Sequence, residues 1–336
     1  MKKNILKPFF FPLPVFIILM MIFITGCGKK EPVDENVHIL QRIPENNVLI
    51  VSVKPTEILK SPFIAALSSL NEKNKNNFDE YREKESEFRK LTGIDPAKDI
   101  ERIMILSEDL RNFPQTWSII AQGNLKMTFL DSLLTKAEIP DSMIVVRGFD
   151  VHYLKARNNG NFLKLYMYFD DHEVMMTSNE SILDKMLGLK KGSGNSIADS
   201  EHFKERYASL KYTDHIWFML PVEGLMNDVM AKIRTQRPDF KLDIQNITDI
   251  QGSVGFGNDA GLSLQAYCSD TELVGLFADT INGFIAMGKL TVGAVPQIRE
   301  VLNSIEVTEQ DKLLECNVKV PVENLIALQA LKNLNQ

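Results

Sequence analysis

Apolar and polar positions alternate with period two in several short stretches of this chain, which predicts half-buried strands. Three of these stretches lead into the same kind of helix start. Residues 48–53 run into Pro55-Thr56-Glu57-Ile58-Leu59, residues 215–220 into Pro221-Val222-Glu223-Gly224-Leu225, and residues 316–320 into Pro321-Val322-Glu323-Asn324-Leu325. Proline at the first helical position gives up no hydrogen bond, and a glutamate two residues later faces the positive end of the helix dipole. The leucine opens the buried stripe. Glu57, Glu223 and Glu323 therefore read as helix-start residues in preference to a shared catalytic acid.

A longer correspondence points the same way. Residues 100–106, 116–122 and a helical stretch at 126–136 match residues 247–255, 262–268 and 271–286 in order and type. The expected fold is α+β, with two tandem related units at 41–190 and 205–336, each an antiparallel sheet with helices packed on one face. Residues 191–204, opening on Lys191-Gly192-Ser193-Gly194, form the expected linker. A helical insertion at 71–92 sets Phe78, Tyr81, Phe88 and Leu91 along one narrow apolar edge, which packs on its own unit or meets a partner. One hairpin joins 162–169 to 174–177 through Asp170-Asp171-His172-Glu173, and another joins 253–257 to 262–268 through Asn258-Asp259-Ala260-Gly261. Ser178 is the expected cap of a helix carrying Ile182, Leu183 and Met186.

The N-terminus follows a different pattern. Lys2, Lys3 and Lys7 precede an apolar run at 9–24, and Thr25-Gly26 place small residues before Cys27. The run has 16 residues, short of the roughly 20 that span a bilayer, and Pro12 and Pro14 interrupt it, so a cleaved leader fits better than a retained anchor helix. This order of basic, apolar and small residues ahead of a cysteine resembles the lipobox of bacterial lipoprotein precursors. The resemblance implies a signal peptide at 1–26, cleavage between Gly26 and Cys27, and a diacylglyceryl group on Cys27. Gly28 stands where an aspartate would hold an enterobacterial lipoprotein at the inner membrane. Outer-membrane sorting, facing the periplasm of a Gram-negative cell, is thereby implied, and the polar residues 27–40 become a lipid-anchored tether.

Charge and cysteine usage narrow the function. The chain holds 38 basic and 44 acidic residues, a formal charge of −6, and loss of Lys2, Lys3 and Lys7 with the leader takes it to about −9. An acidic balance argues against nucleic acid and against electrostatic adhesion to anionic lipid, which leaves the N-terminal lipid as the membrane attachment. Cys268 and Cys316 remain downstream, each in an alternating pattern that turns it toward the core: Leu262-Leu264-Ala266-Cys268 and Leu314-Cys316-Val318-Val320. In an oxidising compartment they form either a disulfide or two buried thiols.

Chemical motifs are sparse. Gly255-Phe256-Gly257 with Gly261 has the wrong spacing for a nucleotide loop and is followed by a strand. Asp170-Asp171-His172-Glu173 offers four metal-capable side chains, but neighbours in a tight turn point apart. His38, His152, His172, His202 and His215 lack zinc-protease spacing, and no Gly-x-Ser-x-Gly elbow occurs. No catalytic residue, metal or cofactor is expected. Met167, Met175, Met176, Met186, Met219, Met226 and Met230 fall in sheet and helix patterns, where they fill the core or line a pocket for an apolar ligand.

Ile43-Pro44 followed by a strand and Glu57-Ile58-Leu59, with Gly93-Ile94-Asp95-Pro96 ahead of the next strand, is similar to the opening of tandem α+β bacterial lipoproteins whose role is unassigned. The similarity spans most of the first unit and parts of the second, and it implies kinship of fold. The expectation is a lipid-anchored cell-envelope protein, a non-enzymatic interaction or structural module for an envelope protein partner. A carrier of lipid or another apolar ligand in a sheet–helix pocket, and a hydrolase without a recognisable motif, are the alternatives.

Overall fold

Period-two stretches become strands where a partner lies close in sequence, and short loops then force antiparallel pairing. A computed structural model describes residues 39–71, 86–90, 93–125, 141–158, 161–207, 210–211, 214–222, 225, 227, 231, 235, 244–291 and 296–324. Among the described residues the protein is a mixture of helices with twelve strands, and each defined register is antiparallel. The chain divides into two compact units, Met1–Asn47 with Ser52–Ser200 and Val48–Val51 with Glu201–Gln336, the division falling within β1 (Leu49–Val53).

The first unit contains α1 (Pro55–Ile58), α2 (Pro62–Asn71), α3 (Pro96–Asp99), β2 (Ile100–Ser107), α4 (Phe113–Thr116), β3 (Trp117–Gly123), β4 (Asp141–Val146), β5 (Phe149–Asn158), β6 (Asn161–Phe169), β7 (Glu173–Thr177) and α5 (Glu180–Lys190). Its strand order is β2-β3-β7-β6-β5-β4. The pairs Tyr168↔Met175 and Met167↔Met176 define the two faces of this sheet. On the Tyr168 face lies α5, whose Ile182, Leu183, Met186 and Leu187 are buried and whose Lys190 ammonium sits 5.1 Å from the Tyr168 ring centre. On the Met167 face a cluster of Ile94, Ile100, Leu125, Leu154 and Phe169 takes Phe88 against it. Both faces are therefore covered, where helices on one face were expected, because segments outside the strands supply Ile94, Leu125 and Phe88.

Local expectations fare unevenly. Pro55 opens α1 with Glu57 in its first turn, but Pro221 and Pro321 are the last residues of strands, paired with Asp249 and Asp259, and are not first helical residues. The cap of α5 is Asn179, not Ser178: the Asn179 side chain accepts from the Ser181 N–H at 2.9 Å, while the Ser178 hydroxyl donates to the Gln115 carbonyl at 3.0 Å. Of the insertion, only the helical residues 86–90 are described, and Phe88 packs on its own unit. The remainder of the insertion and the stretch 126–136 lie outside the described residues. In the expected linker, Gly192 and Gly194 take positive φ angles of 75° and 104°. The following residues are tied to 43–45 by Glu45 N–H to the Asn195 carbonyl and Ile197 N–H to the Ile43 carbonyl, at 3.2 and 2.9 Å.

The second unit contains α6 (Glu201–Tyr207), β8 (Ile216–Pro221), β9 (Ile247–Phe256), β10 (Asp259–Cys268), α7 (Thr271–Thr291), α8 (Pro296–Asn303), β11 (Glu306–Gln310) and β12 (Leu313–Pro321), in the strand order β8-β9-β10-β12-β11. Its run β9-β10-β12-β11 has the neighbour order of β2-β3-β7-β6 in the first unit. The β9–β10 turn is tighter than expected, since Asp259 to Gly261 already belong to β10.

The alternation of β10 faces the opposite way from the sequence reading. Ser263 and Gln265 are buried, whereas Leu262 and Leu264 are each 40 % exposed. A row of neutral polar side chains accounts for this: Gln251 donates to Gln265, and the Ser263 hydroxyl donates to Glu315 at 3.1 Å. Interior hydrogen bonding lets these groups replace an apolar row. A register shift between Tyr267 and Cys268 then returns Cys268 to the interior. There it joins Val274, Phe277 and Ala278 of α7 and Leu314 of β12 in the core of this unit.

Candidate functional site

Gly26 and Cys27, the implied cleavage and lipid-attachment residues, lie outside the described residues. Cys268 and Cys316 are both free thiols, the first buried and the second half-buried, and burial raises the pKa of both. Register explains why the structure does not join them. Cys316 pairs with Leu264, four positions from Cys268 along β10, so their Cα atoms are about 13 Å apart against the roughly 7 Å that a disulfide tolerates. Of the two sequence alternatives, two free thiols is the one seen.

The turn Asp170–Glu173 holds a cation already, and it is a lysine. Lys190, from the last turn of α5, places Nζ 2.8 Å from Asp170 Oδ2 and 2.8 Å from Glu173 Oε2. Tyr168 Oη donates to Asp170 at 2.8 Å, the Glu173 and His172 N–H groups donate to its other oxygen at 2.8 and 2.9 Å, and Gln122 Nε2 donates to Glu173 at 3.3 Å. Burial acts to raise Asp170, but the hydrogen bonds from Lys190, the His172 N–H and Tyr168 outweigh it and hold the carboxyl at about 2. Burial and the bond to Asp170 push Tyr168 to about 12. Every member serves another member of the cluster, so it reads as a structural lock between the β6–β7 hairpin and α5. Among the described residues no group of three or more His, Cys, Asp or Glu side chains is placed to hold a metal ion.

An open cleft of about 730 Å³ lies in the second unit, over the end of the β9–β10 hairpin. Gly255, Gly257 and Gly261 line it, and a Cβ added at Gly261 would meet nothing within 4 Å, so the missing side chains create the space. Lys211, Asp214, Asn317 and Lys319 contribute polar walls. Its charges are partly matched within the site, with Lys319 Nζ 2.8 Å from Asp259. Beside it, burial acts to raise Glu315, but hydrogen bonds from Asn317, Gln265 and Ser263 and the charge of Lys211 hold it below the ordinary range. Leu262 and Val318 complete the lining, so its walls are as apolar as they are polar. The buried Asp249, which accepts from Thr248 at 2.8 Å, lies 3.2 Å from His202 Nε2, and neither residue lines the cleft.

The feature that sequence reasoning missed is the outer side of α7. Leu276, Phe284, Met287 and Leu290 are 51, 64, 59 and 85 % exposed, on a helix whose Val274, Phe277 and Ala278 face the core. At 100° per residue Leu276, Met287 and Leu290 fall opposite that core side, whereas Phe284, seven residues after Phe277, lies on the same side and is left uncovered further along the helix. The signal was present in the sequence: residues 271–291 carry three charges, Glu272, Asp279 and Lys289, so the helix is apolar on more than the one side a surface helix needs. By length and composition alone Thr271–Leu290 meets the requirement for crossing a membrane. Comparison with known proteins found no matching family model, no matching curated protein and no matching solved structure.

Proposed function

We propose that this chain is a lipid-anchored protein of the bacterial cell envelope, attached through Cys27, whose mature body is a non-enzymatic interaction module for an envelope protein. The observation that carries the reading is the exposed apolar surface of α7, with Leu276, Met287 and Leu290 on its outer side and Phe284 uncovered beyond the core contacts. An apolar patch of that kind on a folded surface marks an interaction site. A protein partner is favoured over the bilayer because the mature chain is strongly acidic and Glu272 and Asp279 are exposed on α7 itself. The carrier alternative draws no support from the cleft of the second unit, which is open and only half apolar.

The same neighbour order in β2-β3-β7-β6 and β9-β10-β12-β11 supports a second part of the reading, that the two units descend from one duplicated unit. The Pro-x-Glu-x-Leu sequences at 55–59, 221–225 and 321–325 support it too.

A photo-crosslinking residue in place of Phe284, in intact cells of the source bacterium, tests the function. One defined protein recovered by mass spectrometry, and lost on Met287→Asp, is the expected result. Crosslinks to lipid alone, or to an unselective range of proteins, would contradict it. Cys27→Ala should abolish incorporation of labelled fatty acid, and retention of label would remove the anchor from the account.

A further inference from the structure

We propose that two copies of this chain pair edge to edge through β4, antiparallel and centred on Ile144. β4 is the last strand of its unit, and among the described residues no strand lies on its outer side. Its hairpin to β5 turns through Arg147 and Gly148, both with positive φ, at 50° and 79°. Such a two-residue turn makes the closing pair, Val146↔Phe149, hydrogen-bonded. Alternate residues then follow: Ser142, Ile144 and Val146 direct their backbone groups at β5, while Met143 and Val145 direct theirs outward.

Met143 and Val145 are also the exposed side chains, at 53 % and 71 %. The free backbone donors and acceptors and the uncovered apolar groups thus coincide. The stretch Ser142-Met143-Ile144-Val145-Val146 contains no charge and no proline, and its register to β5 runs without a shift. Edge strands that stay unpaired carry such interruptions, because an open ladder of N–H and C=O groups otherwise recruits another strand.

Self-complementarity singles out a second copy as the occupant. With a two-fold axis at Ile144, Met143 of each chain lies opposite Val145 of the other, and both are outward-facing, so both pairs are hydrogen-bonded. Within the paired stretch 142–146 no charged residue occurs, so no like charges meet. Pairing β4 with β11 of another copy would instead set Met143 and Val145 against a strand holding Glu306 and Glu309, and would build an open chain. A β4–β4 pair uses the same strand on both sides and closes at two.

The test uses the full-length chain. At the axis, the two Ile144 residues form a non-hydrogen-bonded pair with Cα atoms about 4.5 Å apart, within the range of a disulfide. Ile144→Cys should give a dimer band on non-reducing gels of intact cells, abolished by reductant. Purified in detergent, the unmodified chain should have the protein mass of two copies. Val145→Lys should weaken that association by about tenfold or more, with its urea midpoint unchanged, and Thr308→Lys on β11 should leave it intact. A single-copy mass, a ladder of larger species, or a dimer indifferent to Val145→Lys would overturn the proposal.

Discussion

The two units differ in how their interior polar groups are partnered and in the charge on their outermost strands. In the first, Lys190, Asp170 and Glu173 are drawn together beneath the β6–β7 turn, and the outermost strand, β4, presents Met143 and Val145. In the second, the interior row is mostly neutral, Gln251, Ser253, Ser263 and Gln265 following the buried Asp249, and the outermost strand, β11, exposes Glu306, Glu309 and Gln310. Neutral polar groups can be hydrogen-bonded inside a sheet at small net cost, whereas charges need a full set of partners. Charge on an edge keeps it unpaired, and its absence leaves the edge ready to pair. The strands β5 and β4 extend the first sheet beyond β6, at the position where the second ends on β11. That extra hairpin exchanges a guarded edge for an open one.

The largest expected effect follows from the buried charges. Lys190→Met leaves Glu173, with a side chain 4 % exposed, without its cation and should cost about 3–5 kcal/mol in urea unfolding of the first unit. In the second unit, Ser263→Ala removes one hydrogen bond to the Glu315 carboxylate and should cost about 1.5–3 kcal/mol. Equal costs would erase the contrast between a buried ion pair and a hydrogen-bonded hydroxyl. Acid acts on both units, through Asp170 in the first and Glu315 in the second, both held below the ordinary carboxylate range. The Asp170 pKa is lowered on folding from 3.8 to about 2, so its contribution is full above pH 4 and is lost as pH falls through 2. Asp170→Asn should flatten that acid limb, and an unaltered limb in the variant would show that Asp170 does not control it. Smallest of all, Thr308→Lys should change stability by no more than about 0.5 kcal/mol, as expected of an exposed edge position.

Much of this was legible in the amino-acid order. The hairpin at Asp170–Glu173, the long helix from Thr271 and the proline-led start of α1 are local features, set by turn residues, apolar period and capping. β10 was not legible in the same way. Leu262, Leu264, Ala266 and Cys268 look like an inward row, and only the cross-strand partners of Ser263 and Gln265, Glu315 and Gln251, turn it around. The cap at Asn179 was missed by one position because Ser178 had a distant partner, Gln115. Cys268 and Cys316 looked pairable until the register set them four positions apart. The outward phase of β4 depends on what neighbours leave uncovered, which no local pattern states, whereas the sparse charge of α7, Glu272, Asp279 and Lys289, did signal its exposed apolar surface.

Amide hydrogen exchange of the full-length chain, read at β4 and β11 together, tests the edge pairing most directly. The outward N–H groups of Val307 and Glu309 on β11 have no strand beyond them among the described residues and should exchange quickly. Those of Met143 and Val145, equally outward in their own unit, should be protected, and should lose protection on dilution as the pair dissociates. Exchange at Met143 and Val145 as fast as at Val307 and Glu309, at every concentration, would contradict the account.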